Sequence, residues 1–175
     1  LYPNLKTNLV SNWSLFVFFK NKKVERKVLL EKSVLDSIVT FCKMKHPNEG
    51  ILILKGKSKN GQIKIDGLAI PPFNFTGPTF AGFPHSFLPF DNSYIGIVHS
   101  HPSGSAEPSV TDLNNFFGLV SLIIQSPYDN DDSIFAWDSS GNAIPLSIND
   151  EHETEKNWQS FITFFKELLV VWILN

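Results

Sequence analysis

The stretch "YIGIVHSHPSGSAEPSVTDL", residues 94–113, changes period halfway along. Its first part, "YIGIVHSH", is rich in β-branched and aromatic residues and reads as a strand over 94–101. Alternate residues of a strand point the same way. His99 and His101 therefore aim two imidazoles at one spot, and Ser100 faces away. Pro102 ends the strand, and Ser103, Gly104 and Ser105 permit a sharp reversal. Pro108 presets the backbone for a helix predicted over 109–118, with Ser109 at its N-cap and Asp112 one turn in. A carboxylate there can return to the imidazoles as a third ligand. Two nitrogens and one oxygen around Zn²⁺ leave the fourth tetrahedral position open, as in catalytic rather than closed structural sites. Each part alone has an ordinary reading: Ser109-x-x-Asp112 is also a capping-box variant. The signal is their order on one strand–loop–helix.

The rest of the chain frames that stretch. At 175 residues it suits one domain with a core that needs no disulfide staples. The formal net charge of −2 argues against a broad electrostatic footprint on nucleic acid, so no nucleic-acid partner is expected. The single cysteine, Cys42, excludes an internal disulfide and a CxxC zinc site; it sits in an apolar helical pattern and reads as core rather than nucleophile. Scarce cysteine fits a reducing compartment, and a cytoplasmic location is expected. Val34, Leu35, Ile38, Val39 and Cys42 have helical spacing, with Ser33 as N-cap and Pro47 as the stop. Strands are predicted at "WSLFVFF" (13–19), "ILILKG" (51–56), "QIKIDGLAI" (62–70), "LVSLIIQ" (119–125), "SIFAWD" (133–138) and "AIPLSI" (143–148). Mixed strand and helix order predicts an α/β fold, a sandwich with one main mixed sheet flanked by helices.

His99-Ser100-His101-Pro102 followed by Ser109-Val110-Thr111-Asp112 resembles the JAMM motif, His-x-His-Pro-x6-Ser-x-x-Asp, of the MPN (JAB1/MPN/Mov34) zinc metalloproteases. The compact form looks most like the prokaryotic, especially archaeal, deubiquitinase-like (desampylase-like) members. The resemblance implies a single MPN domain of cytidine-deaminase-like fold over residues 27–150. It implies one Zn²⁺ per chain on His99, His101 and Asp112. Glu49, in "HPNEGILILKG" between the first long helix and the next strand, would be the general acid/base, and Ser109 would help stabilise the oxyanion. The substrates implied are ubiquitin-like protein conjugates, cleaved at the amide bond that follows the modifier's C-terminus. Two further readings stand beside this one: a non-catalytic MPN scaffold, and a RadC-like protein. Scaffolds commonly lose a ligand or the glutamate, and this chain keeps all five positions. RadC-type proteins usually carry Asn between the histidines, where this chain has Ser100.

Two segments are more particular to this chain. Residues 71–92, "PPFNFTGPTFAGFPHSFLPFDN", hold Phe73, Phe75, Phe80, Phe83, Phe87 and Phe90 among prolines and glycines that forbid a long regular element. They either fold onto the core or wall the approach of an extended substrate tail, with Phe80 and Phe83 the first choices as exposed substrate-binding residues. His85 lies in that loop; it reads as a surface residue, with an approach to the site as the alternative. His46 reads as a helix-end histidine at the negative end of the dipole, and His152 as exposed among acids. Residues 151–175 carry a helical stripe of Trp158, Phe161, Ile162, Phe165, Leu168, Leu169 and Trp172. Their apolar run is too short to span a bilayer. That segment is expected to pack on the core, with a homodimer through it as the alternative and peripheral membrane contact as the third. Residues 1–26 are expected to form an N-terminal strand or hairpin extension.

Overall fold

The structure, a computed structural model, describes residues 25–129 and 131–150. The expectations for the strand at 13–19, for His152 and for the helix after 150 lie outside these residues. Among them the chain order is β1 (Lys27–Glu31), α1 (Lys32–Lys45), β2 (Ile51–Lys59), β3 (Gln62–Ala69), β4 (Phe75–Gly77), β5 (Phe80–Gly82), β6 (Tyr94–His101), α2 (Val110–Asn114), β7 (Val120–Gln125), β8 (Ile134–Trp137), β9 (Ala143–Ile144) and β10 (Leu146–Asn149). Eight strands form one mixed sheet in the order β10-β1-β3-β2-β6-β7-β8-β9, and β4 and β5 make a separate hairpin. This is the expected α/β domain built on one mixed sheet, but the sheet is not a flat layer. Its two edge strands, β9 and β10, are separated in sequence only by Pro145. Two Cα steps of about 3.8 Å cannot bridge an open eight-stranded sheet, so the sheet curls until its edges meet.

Alternation along β2 and β6 gives the sheet two apolar faces. Leu52, Leu54 and Val98 join the main core with Leu35, Ile38 and Cys42 of α1 and with Leu122 and Ile124 of β7. Ile51, Ile53 and Ile97 face the other way and pack with Phe83 into a smaller cluster beneath the 71–92 segment. β6 is central, antiparallel to β2 and parallel to β7. Gly96 permits this close pairing: a Cβ there would stand 2.0 Å from the Val120 carbonyl oxygen.

The structure corrects four local readings. "KVLLE", for which no element is predicted, is a strand. Its pairing partners β3 and β10 are remote in sequence, and both pair with it in parallel. Ser33 is not the N-cap of α1. The helix starts at Lys32 from Glu31, which makes no side-chain capping bond and instead pairs with Lys64 at 2.7 Å. The second helix stops at Asn114 rather than 118, and Gly118, at φ +78°, turns the chain into β7. "AIPLSI" is two strands on opposite sheet edges, split at Pro145, whose missing N–H removes a ladder donor. No described helix is long and apolar enough to cross a membrane.

Candidate metal centre

His99 and His101 leave the C-terminal end of β6 on the Ile97 side of the sheet, with ring centroids 5.0 Å apart. Ser100 between them is fully buried on the α1 side. The loop returns through Pro108 to α2, where Ser109 is the N-cap with a complete capping box: Ser109 Oγ accepts from Asp112 N–H (3.2 Å), and Asp112 Oδ2 accepts from Ser109 N–H (2.7 Å). That cap orients the Asp112 carboxylate toward the imidazoles. Oδ1 lies 3.3 Å from His99 Nε2, and Oδ2 lies 3.7 Å from His101 Nε2.

Ligands about 2.1 Å from a tetrahedral ion are about 3.4 Å from one another. The two imidazole–carboxylate separations match that value, and donor atoms of His99, His101 and Asp112 all lie within 4.8 Å of one another. Among the described residues His99 Nε2 is buried without a hydrogen-bond partner, although Asp112 Oδ1 lies 3.3 Å away. A cation accounts for such an orphaned nitrogen, and the donor set fits Zn²⁺. His101 Nδ1 donates to the Ser105 carbonyl at 2.7 Å, which leaves Nε2 as the atom facing Asp112. The sequence offered no signal for this contact, since it comes from loop backbone.

Charge is distributed unevenly. Burial pushes the Asp112 carboxyl up, but the contacts from His101, His99 and Ser109 outweigh it and hold the group well below the usual range. The Asp112 carboxylate raises His101 against the opposing effect of burial. Glu49, 7% exposed, is pushed up to about 7, first by burial; His101 opposes this and Asp112 adds to it. Glu49 is thus near enough to feel both groups while standing outside the three-donor cluster. It is placed by backbone: its N–H donates to the Gly77 carbonyl (2.8 Å), and the Gly50 N–H donates to Ser100 Oγ (2.8 Å).

A cavity of about 110 Å³ opens beside His99 and Asp112. One wall is apolar, made by Ile51, Ile97, Phe75, Phe80 and Phe83; His85, Thr111 and Asn115 add polar groups. Phe80 is exposed, as expected of a cleft residue, but Phe83 is not. Phe83 is 7% exposed and belongs to the small core cluster, because β5 turns its ring onto Ile51 and Ile97. Phe75, named in the aromatic run but not among its first choices, is half-exposed and lines the same cavity. His85 is exposed but not isolated: its ring lies 4.9 Å from Phe83 and 5.1 Å from Phe117, on the cavity wall. The i, i+4 spacing of Thr111 and Asn115 beside Asp112 was the one available sign of a polar wall. His46 caps α1, and its ring meets Tyr128 edge-on at 6.3 Å. Cys42 is core, its thiol pushed up to about 11 by burial.

A mixed curled sheet carrying His-x-His on a central strand and Ser-x-x-Asp on the following helix defines the JAMM/MPN class. The family model described as prokaryotic homologs of the JAB domain matches residues 31–140, and the chain belongs to that family. It is 31% identical over 157 residues to a probable metalloprotease of Haloferax volcanii, covering 85% of this chain and 93% of that protein. Among solved structures it is similar to a JAB1/MPN domain protein from Archaeoglobus fulgidus, with a TM-score of 0.52 and 28% identity over 69% of this chain and 98% of that one. A second, described as a JAMM metalloprotease-like zinc site in the proteasome and signalosome, gives a TM-score of 0.51 at 28% identity over 72% and 99% of the two chains.

Proposed function

We propose that the protein is a zinc-dependent peptidase that hydrolyses the amide bond following the C-terminus of ubiquitin-like modifiers, whether attached to a lysine side chain or in a linear fusion. The observation that carries this reading is the convergence of His99, His101 and Asp112, with a buried His99 nitrogen that has no partner among the described residues, beside the buried carboxyl of Glu49. His99, His101 and Asp112 would hold the ion. Bound there, zinc would supply Lewis acidity toward a carbonyl and lower the pKa of water. Glu49 would take the proton of the attacking water and deliver it to the leaving amine. Burial, which raises this carboxyl in the metal-free protein, makes its carboxylate a stronger base. The Ser109 hydroxyl, exposed at the N-cap of α2, would donate to the developing oxyanion.

The cavity beside the cluster suits an extended chain end. Exposed Phe75 and Phe80 offer large contact area at low conformational-entropy cost. Residues 27–150 would be the catalytic core. Residues 151–175 would pack against it or pair two copies, in a cytoplasmic protein. The test is incubation of zinc-loaded protein with a panel of ubiquitin-like conjugates and linear fusions, with and without a chelator. Chelator-sensitive release of an intact modifier is the expected result. Stoichiometric zinc with no cleavage of any panel member would point instead to a non-catalytic scaffold.

A further inference from the structure

Ser100 has no part in the cluster that its neighbours form. It is fully buried and faces α1, where the Cys42 thiol and the Tyr128 hydroxyl, both buried, lie beside it. Its contacts with Gly50, the residue before β2, are reciprocal: Gly50 N–H donates to Ser100 Oγ at 2.8 Å, and Ser100 N–H donates to the Gly50 carbonyl at 3.0 Å. Gly50 follows Glu49 directly, and the next residue, Ile51, is the register partner of His99. The backbone at Gly50 also lies flat on α1, since a Cβ there would stand 2.7 Å from Phe41 Cε1. The Gly50 amide is therefore inside the protein, and the Ser100 hydroxyl is its acceptor.

We propose that Ser100 is a positioning residue: by clasping Gly50 it sets where the Glu49 carboxylate stands relative to His99, His101 and Asp112. One strand residue thus links the two halves of the site. Its neighbours on either side present the imidazoles, and its own side chain, on the opposite face, anchors the residue after the carboxylate. Ser100 matters in this way only if Glu49 is the acid/base group, the reading given above. An error of about 1 Å in placing a reacting group can cost about 10²-fold in rate. Removing the hydroxyl also leaves a buried N–H without an acceptor, which favours a shift of the Glu49–Gly50 backbone.

The experiment compares S100A, S100T, E49Q and S100A/E49Q with wild type. Zinc content, hydrogen exchange of the Gly50 amide in the metal-free proteins, and kcat and KM on a linear ubiquitin-like fusion are measured. S100A is expected to keep zinc and KM, to lose Gly50 protection, and to lower kcat by about ten- to a hundred-fold. S100T, which keeps the oxygen, should return both kcat and Gly50 protection toward wild type. Adding S100A to E49Q should cost little further, because a residue acting through Glu49 has nothing left to position. Full kcat in S100A, or equal losses in S100A and S100T, overturns the role. So does a full additive loss in the double variant. Wild-type kcat in E49Q would instead remove Glu49 as the acid/base group, a failure recognisable separately. If S100A does not fold, S100C takes its place. A sulfur is a weak acceptor, so kcat and Gly50 protection should fall together, and a fall in one alone overturns the role.

Discussion

Glu49 carries a cost that its neighbours reveal. Its folded-state pKa of about 7 lies above the ordinary 4.5, and burial is the main cause. A carboxyl raised on folding destabilises the fold once the unfolded chain ionises. The penalty is absent below about pH 4, grows between 4.5 and 7, and is constant above. Glu49→Gln should therefore stabilise the metal-free protein by about 3 kcal/mol at pH 8 and leave it unchanged at pH 4. Denaturant unfolding of the two metal-free proteins at both pH values checks this; equal stabilities at pH 8 would show that the carboxyl is better solvated than its burial implies. With zinc loaded, the same variant should keep its metal and lose hydrolysis, since an amide cannot take the proton.

At the level of elements, α2 and the β4–β5 hairpin each serve two ends. Ser109 caps a helix of only five residues and orients Asp112 through the capping box. Ser109→Ala should lower stability by about 1 kcal/mol. It should also slow cleavage by about 10²-fold if the hydroxyl serves as an oxyanion donor. Metal analysis beside calorimetry and kinetics separates the two: a lost cap loosens Asp112 and lowers Tm and zinc content with kcat, whereas a lost oxyanion donor lowers kcat with zinc retained. The hairpin supplies a paired test. Phe80 is exposed over the cavity, and Phe83, one residue past β5, is core. Phe80→Ala should raise KM for a full ubiquitin-like substrate more than it lowers kcat, the mark of lost uniform binding. Phe83→Ala should mainly destabilise, by about 3 kcal/mol or more. Reversed outcomes would mean that the hairpin sits otherwise on the sheet.

For the whole molecule, the ion is expected to act as part of the fold. The three donors come from β6 and α2, joined by the loop 102–109, so an ion on them ties that crossover to the sheet. A ligand that binds only the native state at a hundred times its Kd stabilises by about 2.7 kcal/mol. Chelation should thus lower Tm by several degrees, and re-addition of zinc should restore it. In His99→Ala/His101→Ala the Tm should not respond to zinc, and metal analysis should find none. Stoichiometric zinc retained in that double variant would move the metal site elsewhere.

Sequence alone determined what period and local chemistry encode. The strands at 94–101, 51–56 and 62–70 follow from alternation and apolar runs. The juxtaposition of His99, His101 and Asp112 follows from a two-residue period, a proline-bounded reversal and a helix cap, all within fourteen residues. Glu49 needed a family resemblance, because a lone carboxylate after a helix has no local signature. Tertiary structure decided the rest. β1 is short, and its partners β3 and β10 come from remote parts of the chain, so no local pattern marks it. β9 and β10, one residue apart, can be opposite edges only because the sheet curls until its edges meet. Phe80 and Phe83 belong to one aromatic run, yet one lies over the cavity and the other in the core. Burial of that kind depends on which face of a distant strand a side chain meets, and that is settled by packing across the sheet.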